Sequence, residues 1–126
     1  DPTYTTAQLR LGMIQYSDRE FEMARRAFQA CVDADPGILD CFYRLGLSHF
    51  YLALENPDER RENCDSAWEI LQESLLMAQN RGEDAALEDI RLGLAEVSRA
   101  CELYRGRSPE LEAQLTPMPT SDVGDA

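Results

Sequence analysis

The stretch Phe21-Glu22-Met23-Ala24-Arg25-Arg26-Ala27-Phe28 lies between two Leu-Gly pairs, Leu11-Gly12 and Leu45-Gly46, that stand 34 residues apart. Asp1-Pro2 returns as Asp35-Pro36 at the same offset. A period of this length marks a repeated supersecondary unit, and it bears on the fold before any single helix is considered. Small residues at Gly12, Ala24, Gly46 and Ala67 suit two helices that cross closely, with aromatic rings filling the space around the crossing. Pro36 ends the second helix of the first unit, because proline cannot donate a helical hydrogen bond.

The pattern loosens along the chain. Phe42-x2-Leu45-Gly46-x2-His49 opens a second unit, and Ala67-x3-Leu71, with Trp68 beside it, continues it. Ala24 and Ala67 are 43 residues apart, so about nine residues are inserted, and a third pair, Leu92-Gly93, follows the second by 47. These residues resemble the tetratricopeptide repeat (TPR), whose unit reads aromatic-x2-Leu-Gly-x2-aromatic, then Ala-x3-aromatic, then Pro. The resemblance covers residues 1–104 and suggests the C-terminal part of a repeat array. It implies an all-α fold of antiparallel helix pairs stacked as a right-handed superhelix, about five helices with a C-terminal tail. The units fall at about 5–38 and 39–81, with a capping helix at 82–104 and a tail at 105–126.

Helices are expected over Thr3–Ser17, Arg19–Ala34, Ile38–Leu54, Pro57–Gln79 and Glu83–Tyr104. Asn56-Pro57-Asp58-Glu59 has the chemistry of a helix start, a capping Asn, a Pro in the first turn and acids at the positive end. The insertion is therefore expected to lengthen the fourth helix at its beginning. Asn80-Arg81-Gly82 reads as a helix stop. Beyond Gly106 the chain turns Pro-rich and polar; Ser108-Pro109-Glu110-Leu111-Glu112 suits one short helix, followed by an extended tail.

The chain has 126 residues and a net charge of −12, with 24 acidic and 12 basic side chains. Every basic residue is Arg, so Schiff-base and P-loop chemistry, which require Lys, are excluded. One His excludes any site needing two imidazoles. The acidic balance opposes nucleic-acid binding and attachment to anionic membranes. No apolar run approaches the roughly 20 residues that span a bilayer. The chain opens without Met or a visible signal peptide and reads as a piece of something longer.

Cys31 and Cys41 are symmetric about the turn at Pro36, and Cys64 and Cys101 are symmetric about the turn at Gly82. Residues equidistant from the turn of an antiparallel helix pair lie side by side, close to the roughly 5.5 Å Cα separation that disulfides prefer. Cys31–Cys41 and Cys64–Cys101 are thus the expected bridges, one of three possible pairings. The alternative is four reduced cysteines serving as small core residues. With bridges the protein belongs outside the cytosol, whether secreted, periplasmic or on the cell surface; without them it is cytoplasmic.

A zinc site has no Cys-x2–4-Cys pair to build on, and His49 reads as a core or near-core residue. Carboxylate groups such as Glu20 with Glu22, or Asp58, Glu59 and Glu62, read as solvated helix faces. No nucleophile is placed beside a base. The sequence points to no enzyme and no cofactor.

The resemblance implies that the first helix of each unit lines a concave binding face. Carried over, this assigns Thr6, Leu9, Met13 and Tyr16 in the first unit and Asp40, Tyr43, Leu47, Phe50 and Tyr51 in the second. Leu87, Ile90, Leu94 and Val97 follow in the third. Apolar and aromatic residues of this kind suit contact with a protein or peptide. The family's clamp for acidic carboxylates needs Lys and Asn beside Arg; Arg10 and Arg44 occur without them, so a peptide ligand should be apolar or basic. The function expected is a non-enzymatic interaction scaffold. The alternative is a structural subunit that assembles with copies of itself, as a homo-oligomer or an extracellular filament. That assembly would use end-to-end stacking or exchange of tail residues Leu111, Leu115 and Met118.

Overall fold

Asp1 starts the first helix: its carboxylate accepts the Thr3 backbone N–H at 3.0 Å, and Pro2 occupies the first turn, where no helical donor is needed. A computed structural model describes residues 1–101, and among them there are five α-helices and no strand. They are α1 (Pro2–Ser17), α2 (Phe21–Ala34), α3 (Leu39–Glu55), α4 (Arg60–Arg81) and α5 (Asp84–Ala100). The tail at 105–126, with Leu111, Leu115 and Met118, lies outside the described residues.

Three boundaries fall two or more residues inside the expected ones. α2 begins at Phe21 rather than Arg19, because Arg19 sits at φ 63°, a left-handed conformation that cannot continue a helix. Pro57–Glu59 forms a single 3-10 turn, and α4 proper starts at Arg60; Asn56 is extended and its side chain makes no capping hydrogen bond. α5 stops at Ala100, where Cys101 leaves helical geometry, instead of running on to Tyr104. The stop at Gly82 is as expected: φ is 66°, and the Gly82 and Glu83 N–H groups close on the Gln79 and Ala78 carbonyls at 3.2 and 3.0 Å.

Each helix packs extensively on the next in sequence, and α3 also touches α5. The crossings sit at the repeated small residues. A Cβ on Gly12 would meet the Phe28 ring, and one on Gly46 would meet Leu71. Ala24 and Ala67, one helical turn before Phe28 and Leu71, are both fully buried. The nine extra residues therefore leave the α3–α4 crossing in the same register as the α1–α2 crossing. They are taken up by four more residues at the end of α3, one more in the connection, where the 3-10 turn forms, and four more at the start of α4.

The buried apolar residues form two cores. Ala24, Phe28, Cys31, Val32, Cys41 and Leu45 join α2 to α3, with Leu9 and Tyr16 of α1 packed against them. A larger one gathers Phe50, Ala67, Trp68, Leu71, Ile90, Leu94 and Val97 among α3, α4 and α5. Each large side chain buried here contributes about 1.5–3 kcal/mol. Ser48 and Ser74 are wholly buried, and each hydroxyl donates to the carbonyl four residues earlier, Arg44 or Ile70, at 2.9 Å.

Both expected disulfides are present. Cys31–Cys41 joins α2 to α3 and Cys64–Cys101 joins α4 to the end of α5, each with a Cα separation of 6.1 Å. Arg81, at the end of α4, donates to the Gly37 carbonyl at 2.7 Å and so ties the turn between α2 and α3 to the second unit.

Candidate interaction surface

Tyr16 at the end of α1, Phe21 at the start of α2 and Tyr51 late in α3 converge on one aromatic cluster. Phe21 and Tyr51 stack with centroids 4.9 Å apart and planes 12° apart, while Tyr16 meets Phe21 and Tyr51 edge-on at 5.3 and 5.7 Å. The Arg19 guanidinium lies over the Phe21 ring, 5.3 Å from its centroid. Offset and edge-on aromatic pairs of this geometry each contribute about 0.5–1.5 kcal/mol beyond their buried area. Burial, then the neighbouring Tyr51 and a hydrogen bond with it, raises the Tyr16 phenol far above its ordinary pKa. Its hydroxyl stays protonated at any physiological pH.

Two turns earlier on α3, Tyr43 stands half-buried at the edge of an open cavity of about 220 Å³ between α3 and α5. Leu39, Ala86 and Ile90 give it apolar walls, and Asp40, Glu83 and Asp89 are its acids. Asp40 accepts from Arg44 at 2.8 Å. Burial raises the Tyr43 phenol first, and the Asp89 carboxylate raises it further. The cavity thus offers an aromatic face and a surplus of negative charge, an arrangement that receives a cation or a donor rather than an anion.

His49 is part-buried on the same helix, its Nδ1 within 3.1 Å of Asn63 Oδ1 on α4. Burial lowers its pKa below 6.5, against the opposing effect of that hydrogen bond. It holds α3 to α4 as a neutral ring. Among the described residues no three His, Cys, Asp or Glu side chains are grouped to hold a metal ion, and no described helix is long and apolar enough to cross a membrane.

The expected lining divides in two. Leu9, Met13, Tyr16, Tyr43, Leu47 and Tyr51 keep part of their surface exposed, as do Thr6, Asp40 and Leu87. Phe50, Ile90, Leu94 and Val97 do not: each is at most 6% exposed and belongs to the larger core, so they are corrected from exposed lining to core residues, Ile90 also closing the inner wall of the α3–α5 cavity. The apolar stripe of α5 is turned inward against α4 and α3. Tyr43 and Leu47 of α3 lie beside Gly93 of α5, where an added Cβ would meet them at 3.9 and 3.6 Å.

Several contributors were not singled out from the sequence as site residues. Phe21 carries a repeat-motif signal but no hint that it would stack on Tyr51, and Arg19 reached its position only through an unusual backbone conformation. Asp89 and Glu83 join Tyr43 across a contact between residues 40 or more positions apart in sequence. Comparison of the chain with protein-family models, with curated proteins and with solved structures finds no match to any of them.

Proposed function

We propose that this chain is a non-enzymatic interaction module of TPR-like construction, holding an apolar or basic segment of a protein along the exposed sides of α1, α3 and α5. The observation that carries this reading is Tyr43, half-buried beside an open cavity whose charges are mostly acidic. Tyr16, Leu47 and Tyr51 extend an aromatic and apolar surface from it, and residues of this kind dominate binding energy at protein contacts. The equivalent surroundings of Gly12 and Gly46 support the repeat reading. A Lys or Arg of the ligand would enter the cavity beside Asp89 and Glu83, while its apolar neighbours lie along Leu47 and Met13.

Two bridges that staple successive helices support placement outside the cytosol, since buried structural disulfides persist in oxidising compartments.

Selection from a random peptide library on the immobilised chain tests the binding reading. Selected peptides are expected to combine Lys or Arg with an apolar residue, to bind Tyr43→Ala and Tyr51→Ala at least about tenfold more weakly, and to be released by salt. Acidic selected peptides, or peptides that bind both variants as well as the parent, overturn it.

A further inference from the structure

α1 presents apolar residues on two sides. Thr5 and Gly12 are buried, and Leu9 and Tyr16 pack on the smaller core, which defines its inner side. Tyr4, Leu11 and Ile14 lie elsewhere on the helix and are 46%, 45% and 61% exposed. With Ala7, Gln8 and Gln15 they fall within about a third of the helix circumference, forming one stripe. Met23 of α2, 51% exposed, widens it.

The register of this stripe is informative. Ala7, Leu11 and Ile14 stand 34 residues before Cys41, Leu45 and Ser48. Those three are buried in α3, where Cys41 and Leu45 form the core shared with α2. The side with which α3 receives a helix is thus repeated on α1, where no helix of the described residues covers it. A groove of about 180 Å³ between α1 and α2 runs along it, lined by Gln8, Leu11, Gln15, Met23, Arg26 and Ala27. Gln15 Oε1 is buried without a hydrogen-bond donor.

Charge selects the occupant. The chain carries a net −12, yet α1 alone among the five helices contains no Asp or Glu. The acid nearest in sequence to Met23, Glu22, is already paired with Arg25 and Arg26 at 2.7 and 3.2 Å. Every other helix carries Asp or Glu, whereas two α1 stripes meet with no acid on either. We propose that a second copy of this chain occupies the stripe, α1 against α1, about a two-fold axis. The same patch then serves both partners, as an isologous contact requires. Antiparallel pairing also opposes the two helix dipoles. A helix of this length, about 24 Å, with the Met23 edge added, buries on the order of 1,000 Å² in total, the lower limit for a specific dimer. The association is accordingly in the micromolar range. It is independent of the peptide-binding surface, since Leu9, Met13 and the α3–α5 cavity lie away from the stripe.

Light scattering and sedimentation of the 126-residue chain across about 1–100 μM test this. The mass should rise from 14.3 kDa towards twice that value, and rise further with added salt as the net charge is screened. Leu11→Glu with Ile14→Glu should keep the chain monomeric with unchanged circular dichroism, and with the parent's melting temperature at the dilute end of the series, where both are monomers, because both positions are exposed. Met23→Glu should weaken the dimer on its own, and Leu92→Glu, at an equally exposed leucine of α5, should leave it intact. A monomer at every concentration and salt level overturns the proposal, as does a dimer that survives the paired α1 substitutions or is lost on Leu92→Glu.

Discussion

Gly12 lies so close to Phe28 that a Cβ placed on it would fall 2.6 Å from Cε1 of the ring. Phe28 is fully buried and cannot retreat. The two helices of the first unit therefore approach to a distance that only glycine permits, and the same relationship recurs where a Cβ on Gly46 would come within 2.9 Å of Leu71. At Gly93 the nearest atom is Leu47 Cδ2 at 3.6 Å, an ordinary contact.

These three distances order the effect of an added methyl group. Gly12→Ala should destabilise the fold by about 1–3 kcal/mol, the usual cost of overpacking a filled core. Gly46→Ala should cost less, because a leucine side chain yields more readily than a ring. Gly93→Ala should be neutral, or stabilising by up to about 1 kcal/mol through the helix preference of Ala over Gly. Urea unfolding of the three variants checks the ranking, and equal losses at all three positions would remove the distinction.

Gly82 is a separate case, since its constraint is backbone rather than space. It holds φ at 66°, and the space a Cβ would take is open to 4 Å, so Gly82→Ala meets no clash. The left-handed conformation alone should cost about 1 kcal/mol. Gly82→Asn, which tolerates that conformation better, should recover part of the loss in the same unfolding assay.

The two disulfides close chain segments of unequal length, 10 residues for Cys31–Cys41 and 37 for Cys64–Cys101. Loop-closure entropy gives about 2.5 kcal/mol for the first and about 4 kcal/mol for the second. Paired Cys→Ala replacement should therefore lower stability more at Cys64 and Cys101. Thermal unfolding of the two double variants measures the difference, and the reverse order would show that chain entropy does not govern these bridges.

His49 sets the first pH response. Its folded pKa lies below the ordinary 6.5, so the unfolded chain binds the proton more readily. Its contribution is fully present above pH 6.5 and is lost as pH falls through the lowered folded value. Glu22, lowered by its hydrogen bond with Arg25, adds a second loss only below its ordinary 4.5. Denaturation midpoints measured from about pH 7.5 downward should fall first through His49, and His49→Gln should flatten that first slope while leaving the second.

Much of this architecture was legible because its causes are local. The 34-residue offset placed Gly12 and Gly46 at matching crossings, and Gly82 ended α4 because a glycine there adopts a conformation other residues resist. The symmetry of the cysteines about two turns predicted both bridges, since an antiparallel pair brings equidistant residues together. Boundaries fared worse where the signal was ambiguous. Asn56-Pro57 has the composition of a cap but forms the entrance to a 3-10 turn.

The surface was less legible than the helices. An apolar stripe shows that a helix face will be covered, without naming what covers it. Phe50, Ile90, Leu94 and Val97 carried such a stripe and entered the core among α3, α4 and α5, whereas Tyr4, Leu11 and Ile14 carried another and stayed exposed. By itself the amino-acid sequence determined five helices, the close crossings of two helix pairs and the pairing of four cysteines, because each rests on short-range geometry or on a repeated offset. Which tyrosines remained at the surface, that Phe21 would stack on Tyr51, and that Tyr43 would share a cavity with Asp89 were decided only by tertiary structure. Those contacts depend on how separate helices are oriented in space, and that orientation is set by the packing of the whole core.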